Sequence, residues 1–93
     1  MFTPQQEEIM QRACGEYANA QIIVAIEELS ELQKELCKAL RMSYHRDHMT
    51  EEIADVQIML YQMQYYFGIN DRDIQSVIDY KLNRLESHVK DNH

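Results

Sequence analysis

Punctuation is scarce in this chain: two glycines and a single proline in 93 residues. A β-sheet protein reverses direction at turns built largely from Gly, Pro, Asn and Asp, so an all-β fold has too few places to turn. Apolar residues instead recur at helical spacing, and an all-α architecture is the expectation. The lone proline reads as a helix start, because Thr3 offers a hydroxyl N-cap and Pro4 takes the first helical position. A first helix is expected from Pro4 to about Cys14, with Gly15 as a break or bend.

From about Tyr17 to Arg41 the chain reads as one long helix, with Ile22, Ile26, Leu29, Leu36 and Leu40 forming its packing stripe. The stretch 42–48, MSYHRDH, has no apolar period and reads as a loop. Thr50 is the expected N-cap of a helix running to Phe67, with Glu51 and Glu52 in its first turn. That helix is apolar on two sides, through Ile53, Val56, Leu60, Met63 and Phe67 on one and Ala54, Ile58, Tyr61 and Tyr65 on the other. Burying both sides takes more material than a chain of this length supplies, so self-association is expected. Gly68 is a candidate C-cap, and Asn70 with Asp73 a capping pair for a last helix. Ile74, Val77, Ile78, Leu82, Leu85 and Val89 give that helix its stripe, up to about Lys90.

Composition narrows the function. At 45% hydrophobic and 27% charged residues, the chain lies in the globular range and is expected to form one domain over residues 1–93. A net charge of −7 argues against a nucleic-acid backbone as partner, while a polyphosphate held through metal cations stays compatible. No basic segment followed by an apolar core opens the chain, and the aliphatic run Ile22 to Ile26 is too short to span a bilayer. A soluble, cytoplasmic protein is the expectation. Cys14 and Cys37 are too few for a disulfide framework and read as reduced, packed thiols.

The acids carry the chemistry. Glu28 and Glu31 stand one turn apart on the long helix, and Glu52 and Asp55 repeat the spacing on the next. Glu28 borders the apolar stripe beside Ala25 and Leu32, Glu31 leans further out, and Glu52 lies alongside Val56 and Met63. Antiparallel packing of the two helices would crowd all four carboxylates at one end of the bundle. Two like charges ~4 Å apart repel by about 4 kcal/mol at an effective dielectric of about 20. Several such pairs would consume most of the ~5–15 kcal/mol that stabilises a small domain. The cluster must therefore be partly protonated or neutralised by cations. An all-oxygen donor set points to Mg²⁺ or Mn²⁺ rather than zinc, and neither acid pair carries the histidine a di-iron carboxylate site requires. Glu35 reads as solvated surface.

Glu27-Glu28-x-x-Glu31, twenty intervening residues, then Glu52-x-x-Asp55 resembles the EExxE…ExxD signature of the MazG-type all-α nucleoside triphosphate pyrophosphohydrolases. The flanking segments IEELSELQKELCKALR (26–41), EEIADVQIMLYQM (51–63) and YKLNRL (80–85) are similar too, and the resemblance covers roughly residues 17–86. It implies a MazG-like helical bundle whose four-helix core is completed by oligomerisation, as a homodimer or homotetramer. It further implies Mg²⁺-dependent hydrolysis of a (d)NTP to the monophosphate and pyrophosphate. Glu28, Glu31, Glu52 and Asp55 match the metal ligands, and Glu27 matches an acid that assists the metal or positions water. Lys81 and Arg84 match basic residues that hold the triphosphate, with Asn83 in the same segment; Gln21 is a candidate contact for base or sugar. Neighbouring activities of the superfamily, on dUTP, dCTP or phosphoribosyl-ATP, stay open, as does a non-catalytic helical interaction module. Lys81 and Arg84 also suit the negative end of a helix dipole. Arg41, His45, Arg46 and His48 read as a solvated, mildly basic loop, and Tyr61, Tyr65 and Tyr66 as packing residues.

Overall fold

The computed structural model describes residues 1–91, and among them every regular element is helical. Helix α1 spans Pro4–Leu40, α2 Arg46–Tyr66 and α3 Asp71–Asp91. Non-helical dihedrals at Tyr17 (φ −126°, ψ 24°) break α1, so four helical segments result.

Thr3 caps α1 as its sequence suggests, and reciprocally. The Gln6 amide N–H donates to the Thr3 hydroxyl, and the Thr3 N–H to the Gln6 side chain. The break falls two residues beyond Gly15, whose position would leave an added Cβ without a neighbour inside 4 Å. Glycine inside a helix costs only about 1 kcal/mol, so without a demand for positive φ it does not end one. Before the break the first segment is tied to α2: the Cys14 thiol donates to the Gln62 carbonyl at 3.4 Å, and the Gln11 amide to the Tyr61 hydroxyl at 3.0 Å. The Phe2 and Tyr61 rings meet edge to face, 5.5 Å between centroids.

Both α1 and α2 end in Schellman motifs. After α2, Gly68 adopts φ 67°, its N–H donating to Tyr65 O and that of Ile69 to Gln64 O. After α1 the left-handed position is held by Met42 at φ 61°, with Met42 N–H donating to Ala39 O and Ser43 N–H to Lys38 O. Asn70 caps α3 by accepting the Asp73 N–H at 2.9 Å.

Two boundaries differ from expectation. Helix α2 starts at Arg46 rather than after Thr50, so Arg46, Asp47 and His48 are helical, and the connection from α1 is only 41–45. Asp47, not Glu51 or Glu52, is the acid of the first turn, and the Thr50 hydroxyl donates to the Arg46 carbonyl inside the helix. The N-cap position falls on His45, whose side chain makes no capping bond, so no local capping signal marked this start.

The larger correction concerns which face of α1 packs. Ile26, Leu29, Leu36 and Leu40 lie outside, with Ile26 60% and Leu40 87% exposed. The face against α2 is instead the one carrying Gln21, Ala25, Glu28, Leu32 and Glu35, rotated from the aliphatic stripe by about 100°, one residue's advance along the helix. On α2 the buried residues are Val56, Met59 and Gln62, while Ile53, Leu60 and Phe67 are exposed. Small Ala25 lets the helices approach, and the bulkier stripes remain uncovered. Cys14 is buried as expected, but Cys37 is exposed.

Among the described residues, α1 and α2 pack on each other and α3 packs on neither. The accessible surface is 7636 Å², against about 5,700 Å² for a compact monomer of this 11.1 kDa mass. The radius of gyration, 16.1 Å, likewise exceeds the ~12 Å of a compact domain of this length. Buried apolar residues are few: Met10, Cys14, Ala25, Val56 and Met59. No helix among the described residues is long and apolar enough to cross a membrane.

Candidate metal centre in the seam between α1 and α2

The seam that α1 and α2 form is lined with acid. Glu28 comes from the inner face of α1, and Glu52 and Asp55 from successive turns of α2. One carboxylate oxygen from each lies within 4.8 Å of the others. These are the two halves of the spacing noted in the sequence, brought together by antiparallel packing.

Their electrostatics follow from crowding in a partly desolvated seam. The Glu28 carboxyl titrates above the usual carboxylate range. Burial is the largest cause, followed by the charge of Asp55, a hydrogen bond with it, and the charges of Glu52 and Glu31. Glu52 is raised for the same leading reason, with Asp55, Glu31, Glu35 and Glu51 adding repulsion. Glu52 Oε2 is sealed from solvent and has no hydrogen-bond partner. An orphaned carboxylate oxygen in an all-oxygen cluster is the chemistry a hard divalent cation satisfies, so these residues fit Mg²⁺ or Mn²⁺.

The other sequence candidates divide. Glu31 stands outside the triad, half exposed and paired with Lys34 at 3.3 Å, although its charge still reaches Glu28 and Glu52. Glu27 is exposed. Gln21 is half-buried, seven residues before Glu28 and so on the same face of α1. Lys81, Asn83 and Arg84 lie exposed on α3, which packs on neither seam helix within the chain and is tied to α2 at its start, where the Gln64 amide donates to Asp71. Lys81 and Arg84 line a shallow depression of about 300 Å³ with Leu85 and His88, and the Arg84 guanidinium lies 5.9 Å from the Tyr80 ring centre.

Glu35 is the residue the sequence reading misplaced. It is only 7% exposed, with Oε1 accepting from Lys38 at 3.2 Å and Oε2 sealed without a partner. Its position seven residues after Glu28 puts it on the seam face, a signal hidden by taking the aliphatic stripe as the inner side. His45 and His48 stack with ring centres 4.9 Å apart at the start of α2, away from any acid cluster among the described residues. Of the tyrosines, Tyr61 packs as expected and Tyr66 donates to Asn19 Oδ1 at 3.4 Å, while Tyr65 is exposed.

No protein-family model, curated protein or solved structure matches this chain.

Proposed function

We propose that the seam is the catalytic centre of a Mg²⁺-dependent nucleoside triphosphate pyrophosphohydrolase of MazG-like type. The observation that carries the reading is the convergence of Glu28, Glu52 and Asp55, one from the first half of the EExxE…ExxD spacing and two from the second, within 4.8 Å. Bound there, Mg²⁺ or Mn²⁺ would neutralise phosphate oxygens and make a water more acidic. Glu28, Glu52 and Asp55 hold the cation, with Glu31 reaching it once released from Lys34. Glu27, exposed beside Glu28, orients the attacking water, and half-buried Gln21 contacts base or sugar further along the face. Water adds at phosphorus as the bridging P–O bond between the α and β phosphates breaks, leaving monophosphate and pyrophosphate.

Lys81 and Arg84 bind the charge that develops on the leaving pyrophosphate. Because α3 does not pack on its own seam, they are delivered by a second copy. The exposed stripes of α1, α2 and α3 are the surfaces that assemble, completing a four-helix bundle. The surface in excess of a compact monomer, about 2,000 Å² per chain, is what a large obligate interface consumes. Asn83 belongs to the same delivered segment.

The test is a panel of (d)NTPs with Mg²⁺ or Mn²⁺, read for pyrophosphate. Pyrophosphate formation that is lost in Asp55→Asn supports the reading, and the preferred base separates a general activity from one on dUTP or dCTP. The exposed aliphatic faces favour a second reading, a helical interaction module, and an inert panel with both metals would select it.

A further inference from the structure

Helix α3 packs on neither neighbour, and its apolar stripe is open through Ile74, Ile78 and Leu85. The aliphatic stripe of α1 is open as well, through Leu29, Leu36 and Leu40. The two stripes match when the helices run in opposite directions. Leu40, Leu36 and Leu29 then stand level with Ile74, Ile78 and Leu85, because both sets step by four residues and then by seven. A parallel alignment fits the apolar spacing nearly as well, so charge decides the direction.

The last turns of α1 carry Lys34, Lys38 and Arg41 against Glu35, and the turns before them Glu27, Glu28 and Glu31 with no basic residue. Helix α3 is also acidic first and basic last, with Asp71, Asp73 and Asp79 against Arg72, then Lys81, Arg84 and Lys90 against Glu86. Parallel packing would set like charge on like, whereas antiparallel packing sets each half on its opposite. In the matched register, helical geometry brings Arg41 within a turn of Asp71, and Lys34 within a turn of Asp79, on the edge of the stripe away from the seam. On the edge beside the seam, Arg84 comes within a turn of Glu28.

The chain's own α3 is led the other way. Helices α1 and α2 are antiparallel and the connection 67–70 is short, so an α3 folded back on its own chain runs antiparallel to α2 and parallel to α1. We infer that α3 of a second copy lies antiparallel along the aliphatic stripe of α1, and that two copies exchange this helix reciprocally. A two-fold pair makes the contact twice. That covers two open stripes on each chain, in keeping with the surface of about 2,000 Å² per chain in excess of a compact monomer. The arrangement rests on the assembly proposed above and adds the helix pair, its direction and the edge at which Arg84 reaches Glu28.

Cross-linking of the full chain under a mild oxidant tests the pairing, because Cys37 is exposed at the edge of the α1 stripe and Cys14 is buried. In the antiparallel register Gln75 stands within a turn of Cys37 on that edge, and in a parallel one His88 does. Gln75→Cys is expected to give a disulfide-linked dimer on a non-reducing gel, absent from the unmutated chain and abolished by Cys37→Ser, while His88→Cys gives none. A dimer from His88→Cys, or from neither variant, would overturn the pairing. A cross-link within one chain from Gln75→Cys would overturn the exchange between copies. In sedimentation, Arg41→Glu should weaken dimerisation severalfold and the added Asp71→Lys restore it, and absence of rescue would contradict the register. Neither readout uses nucleotide or metal, so an inert (d)NTP panel leaves the pairing standing, and a failed cross-link leaves the cation site standing.

Discussion

Glu28 on α1 and Asp55 on α2 each bring a carboxylate oxygen within 4.8 Å of the other, and Glu52 joins them at the same range. Carboxylates this close repel one another when ionised, a repulsion that a proton or a cation would relieve. The folded-state pKa values of Glu28 and Glu52 lie above the ordinary carboxylate value near 4.5. Groups raised in this way favour the folded state most below the unfolded pKa, and that contribution fades as pH climbs through the raised values. Without divalent ions, stability should therefore decline from about pH 4.5 upward as these two groups ionise. Glu28→Gln should flatten that decline, which denaturation midpoints across the pH series will read.

Cations should act on the same groups. At neutral pH, millimolar Mg²⁺ or Mn²⁺ is expected to raise the melting temperature by binding the folded seam. Glu52→Gln should melt higher than the wild type in chelator, because it removes repulsion, and should lose the metal-induced rise. An equal rise in the variant would separate the stabilisation from the seam.

Met42 gives a prediction independent of function. It holds a left-handed conformation at φ 61° and is 90% exposed, so its side chain contributes little packing. Left-handed geometry costs a non-glycine residue about 1–2 kcal/mol, partly offset by the entropy glycine loses on folding. Met42→Gly should stabilise the chain by about 0.5–1 kcal/mol in chemical denaturation. A destabilised variant would show that the Met42 side chain makes packing contacts that outweigh the cost of its left-handed backbone.

Assembly has its own reading. Leu85 lies 53% exposed on a helix that packs on neither α1 nor α2, and Leu36 on α1 is 52% exposed. Sedimentation should find a dimer or larger species at micromolar concentration, and Leu85→Asp should shift it toward monomer. A stable wild-type monomer would contradict the delivery of Lys81 and Arg84 by a second copy.

Much of this was legible in the sequence, and the largest failure has one cause. Thr3, Gly68 and Asn70 act locally, through caps whose partners lie within a few residues, so their roles could be read in order along the chain. The acid spacing was legible for a similar reason, since Glu28 with Glu31 and Glu52 with Asp55 each follow helical geometry. The inner face of α1 was not. Hydrophobic periodicity identifies the stripe of Ile26, Leu29 and Leu36 but not what covers it, and within this chain α2 covers the neighbouring face instead. That choice buried Glu35 and exposed the aliphatics. Periodicity reports which face is apolar, and the fold of a single copy leaves that face of α1 uncovered.

Phosphorus NMR of a reaction mixture tests the central claim most directly. With Mg²⁺ and the preferred nucleoside triphosphate, the triphosphate signals should be replaced by monophosphate and pyrophosphate in equal amounts, and Asp55→Asn should leave the substrate intact. Orthophosphate with nucleoside diphosphate, or an unchanged triphosphate with every nucleotide and both metals, would contradict it.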